Sequence, residues 1–192
     1  MSVEQMNLTG IKGVLLDLDG TLVESSLNFT QMRADVGCPQ NEDILTFVDA
    51  IACAETKANA HRTILQHELD DAQNAKLLPI GKAMVEKVQA HKLPMAIVTR
   101  NCRQATAIKV ANNGIPIDYV LTREDAPAKP DPTALLMVAN TWQLQPEDCL
   151  YAVSYTHLRA HETDSYLVCR LLLEKTGRVD RVVVSVSVVG TG

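Results

Sequence analysis

Two carboxylates two residues apart, Asp17 and Asp19, close an apolar run and are followed at once by Gly20 and Thr21. Side chains alternate along an extended chain, so acids at i and i+2 face the same way. The glycine permits a sharp turn directly behind them. One such carboxylate can attack as a nucleophile while the other moves a proton or helps to hold a cation. Chemistry on a phosphoryl group also needs oriented donors and a fixed positive charge for its oxygens. Thr99 and Asn101 stand where a second apolar run, Met95-Ala96-Ile97-Val98, gives way to a helical stretch, whose first amides would add anion donors. Lys129 stands in Ala128-Lys129-Pro130-Asp131-Pro132, where two prolines stiffen the chain around the ammonium.

The elements that must position these residues follow from hydrophobic periodicity. Val14-Leu15-Leu16 reads as a buried strand within 12–18. From 24 to 78 the pattern turns helical. A short helix over 28–36 is broken by Gly37-Cys38-Pro39, and Asn41 is a candidate N-cap for a helix with Ile44, Phe47, Val48 and Ile51 on one face. A third helix over 59–75 places Ile64, Leu65 and Leu69 together. Pro79 then starts a helix, and strands at 93–99, 117–121 and from 149 alternate with helices at 101–113, closed by Gly114, and 131–142. That rhythm predicts an α/β fold, a Rossmann-like parallel sheet with right-handed crossovers. Open sheets of this kind build their sites at the carboxyl ends of the strands. Trp142 reads as core.

Bulk properties remove several classes of function. The 192 residues fit one domain with a small insertion, and the net charge of −5 without a Lys/Arg run excludes nucleic-acid binding through a broad basic face. No apolar run is long enough to span a bilayer, so no membrane partner is expected. The five cysteines are scattered and lack metal-site spacing, which favours reduced thiols in a soluble, cytoplasmic protein.

Asp17-Leu18-Asp19-Gly20-Thr21-Leu22-Val23 resembles the first signature of the haloacid dehalogenase-like (HAD) phosphohydrolases. Thr99 at its strand end resembles the second, and Lys129 before Pro-x-Pro the third. The resemblance covers residues 12–151 and implies a HAD-like core over 1–23 and 79–151, with 24–78 as a small helical cap. It assigns Asp17 as nucleophile, Asp19 as general acid/base and Lys129 as the charge-neutralising residue. Thr99, Asn101, Gly20 and Thr21 fall to substrate binding, and Asp17 with the backbone carbonyl of Asp19 to Mg²⁺. The implied activity is hydrolysis of a small phosphorylated metabolite through an aspartyl-phosphate, in the manner of a phosphoglycolate phosphatase. A sugar-phosphate mutase of the same family, a receiver-like module that accepts phosphate on Asp, and an inactive fragment are the competing readings.

The pattern breaks after Leu150-Tyr151. The resemblance requires a Gly-Asp there to complete the Mg²⁺ site, whereas the chain reads Ala152-Val153-Ser154-Tyr155-Thr156-His157. Residues 152–192 resemble translated sequencing-adapter tails, so this stretch is expected to be a truncated or foreign C-terminus and the activity of the chain as written to be impaired. Glu162 and Asp164 lie too far past the strand to be expected as substitutes.

Overall fold

The computed structural model of the chain describes residues 7–127, 129, 131–154, 166–176 and 179–188. Its centre is β1 (Gly13–Leu16), whose Val14, Leu15 and Leu16 are fully buried. A strand covered on both faces reads as a continuous apolar run rather than an alternating one, and this one is flanked on both sides. It pairs in parallel with β2 (Met95–Val98) through Leu16 opposite Ile97, and with β4 (Cys149–Ser154) through Leu16 opposite Ala152. A short β3 (Tyr119–Leu121) adds in parallel to β2. Beyond β4, β5 (Tyr166–Thr176) and β6 (Val179–Val188) continue the sheet as an antiparallel pair, giving the order β3-β2-β1-β4-β5-β6.

Three helices precede the second half of the core: α1 (Phe29–Val36), α2 (Ile44–Asp49) and α3 (Ala54–Asn74). They bury a cluster of their own made by Met32, Ile44, Val48 and Ile64. Asn28 caps α1, and Gly37 ends it in the left-handed conformation at φ 70°. Asp43, not the expected Asn41, caps α2 by accepting from Thr46 N–H, because the chain first turns at Pro39 and Glu42. The α3 helix starts five residues before the expected 59. Its first turn is polar and carries no apolar period, and Lys57 fixes it by donating to the Asp49 carbonyl at 2.7 Å.

The core helices are α4 (Pro79–Ala90), α5 (Arg103–Asn112) and α6 (Thr133–Thr141). Met84, Val85 and Val88 of α4 pack on the Val14 and Leu16 face of the sheet. Leu135 and Val138 of α6 pack on the Leu15 face with Tyr151, and Trp142 joins this cluster edge-on to Tyr119. Both α5 and α6 start two residues later than expected: Cys102 caps α5, while Asp131 accepts from Thr133 N–H outside α6. Two glycines hold the layers close. A Cβ at Gly13 would lie 2.7 Å from the Trp142 ring, and one at Gly81 would lie 2.7 Å from Leu22 backbone.

The chain leaves the core and returns to it along one short ribbon. Val23 bridges antiparallel to Leu77, Glu24 N–H donates to the Lys76 carbonyl at 2.8 Å, and Leu78 N–H to the Leu22 carbonyl at 2.8 Å.

Candidate active site

Asp17 follows β1 directly, and its amide donates to the Ala152 carbonyl at 2.9 Å, extending the ladder to β4 by one bond. Leu18, fully buried, separates it from Asp19, and both acids open onto one cleft of about 360 Å³. Gly20 takes φ 71° and its amide donates to the Val23 carbonyl at 2.8 Å, so the turn expected behind the acids forms at a position glycine favours. Thr21 is fully buried within that turn, and neither Gly20 nor Thr21 contributes to the cleft wall.

Thr99, Asn101 and Lys129 line the same cleft. Lys129 donates to Asp17 Oδ1 at 2.7 Å, to the Val98 carbonyl at 3.1 Å and to the Tyr151 hydroxyl at 2.9 Å. Three acceptors fix the ammonium against the carboxylate that could attack. Asp17 Oδ1 also accepts the Leu18 amide at 2.9 Å, and no described residue donates to Oδ2. Asn101 donates to Asp19 Oδ2 at 2.7 Å, and its own amide donates to Thr99 Oγ1 at 3.2 Å. Asn101 therefore orients the second acid. Burial pushes the Asp19 carboxyl above its ordinary value against the opposing pull of Lys109 and Asn101, and Asp17 nearby adds to the rise. A carboxyl raised in this way is suited to carry a proton.

Three of the helix amides expected as anion donors are already taken. Cys102 N–H donates to Glu68 Oε2 at 3.0 Å, Arg103 N–H to Glu124 Oε2 at 2.7 Å, and Ala105 N–H to Cys102 Sγ at 3.3 Å. Acidic side chains from α3 and from the turn after β3 take two of these amides, and the Thr99 hydroxyl lines the cleft at this strand end. Pro130, one of the two prolines beside Lys129, lies outside the described residues.

Three contributors escaped the sequence reading. Tyr151 reaches Lys129 from β4, Lys109 reaches Asp19 from α5, and Arg100 pairs with Asp43 from α2 beside the cleft. Tyr151 was visible as a strand residue, but nothing local marks a strand tyrosine as a partner of a loop lysine. The other two contacts join segments 57 and 90 positions apart. Apolar Leu27, Phe29, Met32, Ile44, Leu45 and Ile64 form the helical wall of the cleft. Arg33 also lines it, but its guanidinium donates to the Pro39 and Glu42 carbonyls.

The donor set meets a hard cation only in part. Asp17 Oδ2 and the Asp19 main-chain carbonyl are oxygens of the kind Mg²⁺ takes. Among the described residues no group of three His, Cys, Asp or Glu side chains could hold a metal. Ala152, Val153 and Ser154 supply no acid at the end of β4, and Glu162 and Asp164 lie outside the described residues.

The family model described as haloacid dehalogenase-like hydrolase matches residues 14–153. A haloacid dehalogenase-like hydrolase domain-containing protein of Arabidopsis thaliana is 26% identical over 165 residues, covering 78% of this chain and 67% of the relative. Hexitol phosphatase A of Escherichia coli is 28% identical over 156 residues, covering 72% of each. Among solved structures, one from Haemophilus somnus, provisionally assigned as a phosphoglycolate phosphatase, superposes with a TM-score of 0.55 at 21% identity, over 76% of this chain and 77% of its own. One from Thermotoga maritima, provisionally assigned as a beta-phosphoglucomutase, gives 0.51 at 16% identity, over 73% and 75%.

Proposed function

The chain belongs to the haloacid dehalogenase-like hydrolases, and from that premise we propose that it hydrolyses a small phosphomonoester through an aspartyl-phosphate on Asp17. The observation that carries this reading is the Lys129 ammonium, 2.7 Å from Asp17 Oδ1, in a cleft that also holds Asp19 and Thr99. The Asp17 carboxylate attacks phosphorus. The bond from phosphorus to the alcohol oxygen breaks, and Asp19 gives its proton to the departing alcohol. Asp19 then takes a proton from water, the water oxygen attacks phosphorus, and inorganic phosphate leaves with Asp17 restored. Lys129 neutralises charge throughout, and the Thr99 hydroxyl donates to a phosphoryl oxygen. Asn101 keeps the Asp19 carboxyl turned toward the cleft.

Mg²⁺ is the cofactor of this reading; the Asp17 carboxylate and the Asp19 main-chain carbonyl would hold it, and it would neutralise phosphoryl charge there. The apolar helical wall shields the reacting phosphorus from bulk water. A cytoplasmic setting accords with Cys38, Cys53, Cys102 and Cys149, all free thiols.

Phosphate release from a panel of phosphomonoesters in Mg²⁺ tests the reading, with Asp17→Asn as control. Release by the parent and none by the variant is expected; undiminished release by the variant would remove Asp17 as nucleophile. Isomerised sugar phosphate in place of free phosphate would instead identify a mutase, the activity attached to the Thermotoga neighbour.

A further inference from the structure

Lys109 is the largest fully buried side chain of the described residues, and nothing in the reaction above uses it. A lysine loses its hydration on burial and needs partners that replace it. Its Nζ lies 2.6 Å from Asp19 Oδ1 and 2.7 Å from Asp71 Oδ2. Asp71, in the last turns of α3, also accepts the Ser26 amide at 2.7 Å and the Ser25 and Ser26 hydroxyls at 3.0 and 3.1 Å. Ser25 and Ser26 lie just past the outgoing strand of the linker ribbon, and Asp71 just before the returning one. At the end of α5, Asn113 holds the returning strand by accepting the Leu77 amide at 2.6 Å and donating to the Ala75 carbonyl at 3.0 Å.

We infer that Lys109 is a positioning residue, which fixes the Asp19 carboxyl for proton transfer and ties its orientation to the seating of the helical cap. The inference rests on the hydrolase reading for its chemical half. Asp19 carries one oxygen on Lys109 and the other on Asn101, so both ends of the carboxyl are held and its plane cannot rotate freely. Lys109 is in turn held by Asp71, so displacement of α3 from its seat on α5 pulls on the same ammonium. A carboxyl positioned this way is set for proton transfer only while the cap is seated.

Two esters separate positioning from mere stability. Propyl phosphate has a poor leaving group that must be protonated, whereas 4-nitrophenyl phosphate leaves without a proton. For Lys109→Met, kcat on propyl phosphate is expected to fall about 100-fold, with less than about a fivefold change on 4-nitrophenyl phosphate, since general acid catalysis typically contributes 10²–10⁴-fold. Equal losses on both esters, or no loss, would overturn the role. Asp71→Asn keeps the shape of the joint and serves if Lys109→Met does not fold; the same leaving-group split, about tenfold or less, is expected there. Hydrogen exchange without substrate reads the joint itself: the Ser26 amide is expected to exchange faster in either variant, and unchanged exchange would overturn the tie to the cap. A parent protein that cleaves neither ester removes the hydrolase reading, and the exchange result then upholds or overturns the bridge alone.

Discussion

Lys129 and Lys109 divide two tasks between two similar ammonium groups. Lys129 is about one-fifth exposed, faces the cleft and touches Asp17; Lys109 is sealed and touches Asp19 from behind. Replacing Lys129 with Met is expected to lower kcat by about 10²–10³-fold, the usual cost of losing one preorganised charge contact. Tyr151→Phe removes one of three acceptors of that ammonium and should cost far less, about two- to fivefold by steady-state kinetics. The thiols offer a separate check. Burial pushes Cys102 and Cys149 up to about 11, so both stay protonated at neutral pH. Exposed Cys53 is held below its ordinary value by the Thr56 hydroxyl and by the amides of Thr56 and Glu55 at the start of α3. The thiolate is the nucleophile, so iodoacetamide at pH 7 should label Cys53 well before Cys102 and Cys149, as read by peptide mass spectrometry.

Among the elements, α4 sets how closely the acid-bearing turn can sit. A Cβ on Gly81 would meet the Leu22 Cα and carbonyl oxygen at 2.7 Å and the Thr21 carbonyl at 2.9 Å, all of them backbone. Gly81→Ala therefore has to push the turn away. A loss of about 1–3 kcal/mol is expected, the usual range for overpacking, visible as a lower Tm together with reduced kcat because Asp19 moves with the turn. The joint between α3 and α5 responds to acid. Burial raises Asp71, but Lys109, Ser25 and Ser26 more than offset it, so its folded value lies below the ordinary 3.8. Its stabilisation is thus present above that ordinary value and is lost as pH falls through the lower folded one. The helices α1 to α3 are expected to loosen on acidification below about pH 4, and Asp71→Asn should flatten that dependence in circular dichroism. The elements themselves were largely legible in the chain, because β1, β2 and α4 carry unbroken apolar patterns. The starts of α2 and α3 were not, since Asp43 and Asn41 are equally good caps in isolation. Tertiary turns decided between them, and the polar first turn of α3 carries no period to read.

For the molecule as a whole, stability should be unevenly spread. The central sheet buries two large clusters around β1, whereas α1 and α2 are short and share one small cluster with α3. Native-state hydrogen exchange is therefore expected to open α1 and α2 first and to leave the amides of β1 and β2 slowest. Uniform protection across both regions would contradict this division. The whole-molecule reading also shows what sequence alone supports at the site. Asp17, Asp19, Thr99 and Lys129 each follow a strand or precede a helix, so parallel topology gathers them at one edge and a linear reading anticipates them. Lys109 and Asp71 lie in the last turns of their helices, where nothing local distinguishes a buried lysine or aspartate from a solvated one, and only the packing of α3 on α5 joins them beside Asp19. Two of the helix amides near Thr99 are occupied for a related reason: Glu68 and Glu124, remote in sequence, accept from them.

The paired strands at Val23 and Leu77 carry one more implication. Departure and return occupy neighbouring positions, so the backbone closes at that gate, while α3 reaches the core a second time through Glu68 and Asp71. Segments of quite different size and shape could be spliced between residues 28 and 67 without disturbing the strands beneath. The cleft wall contributed by Phe29, Met32, Ile44 and Leu45 can then change while Asp17, Thr99 and Lys129 stay on the sheet edge.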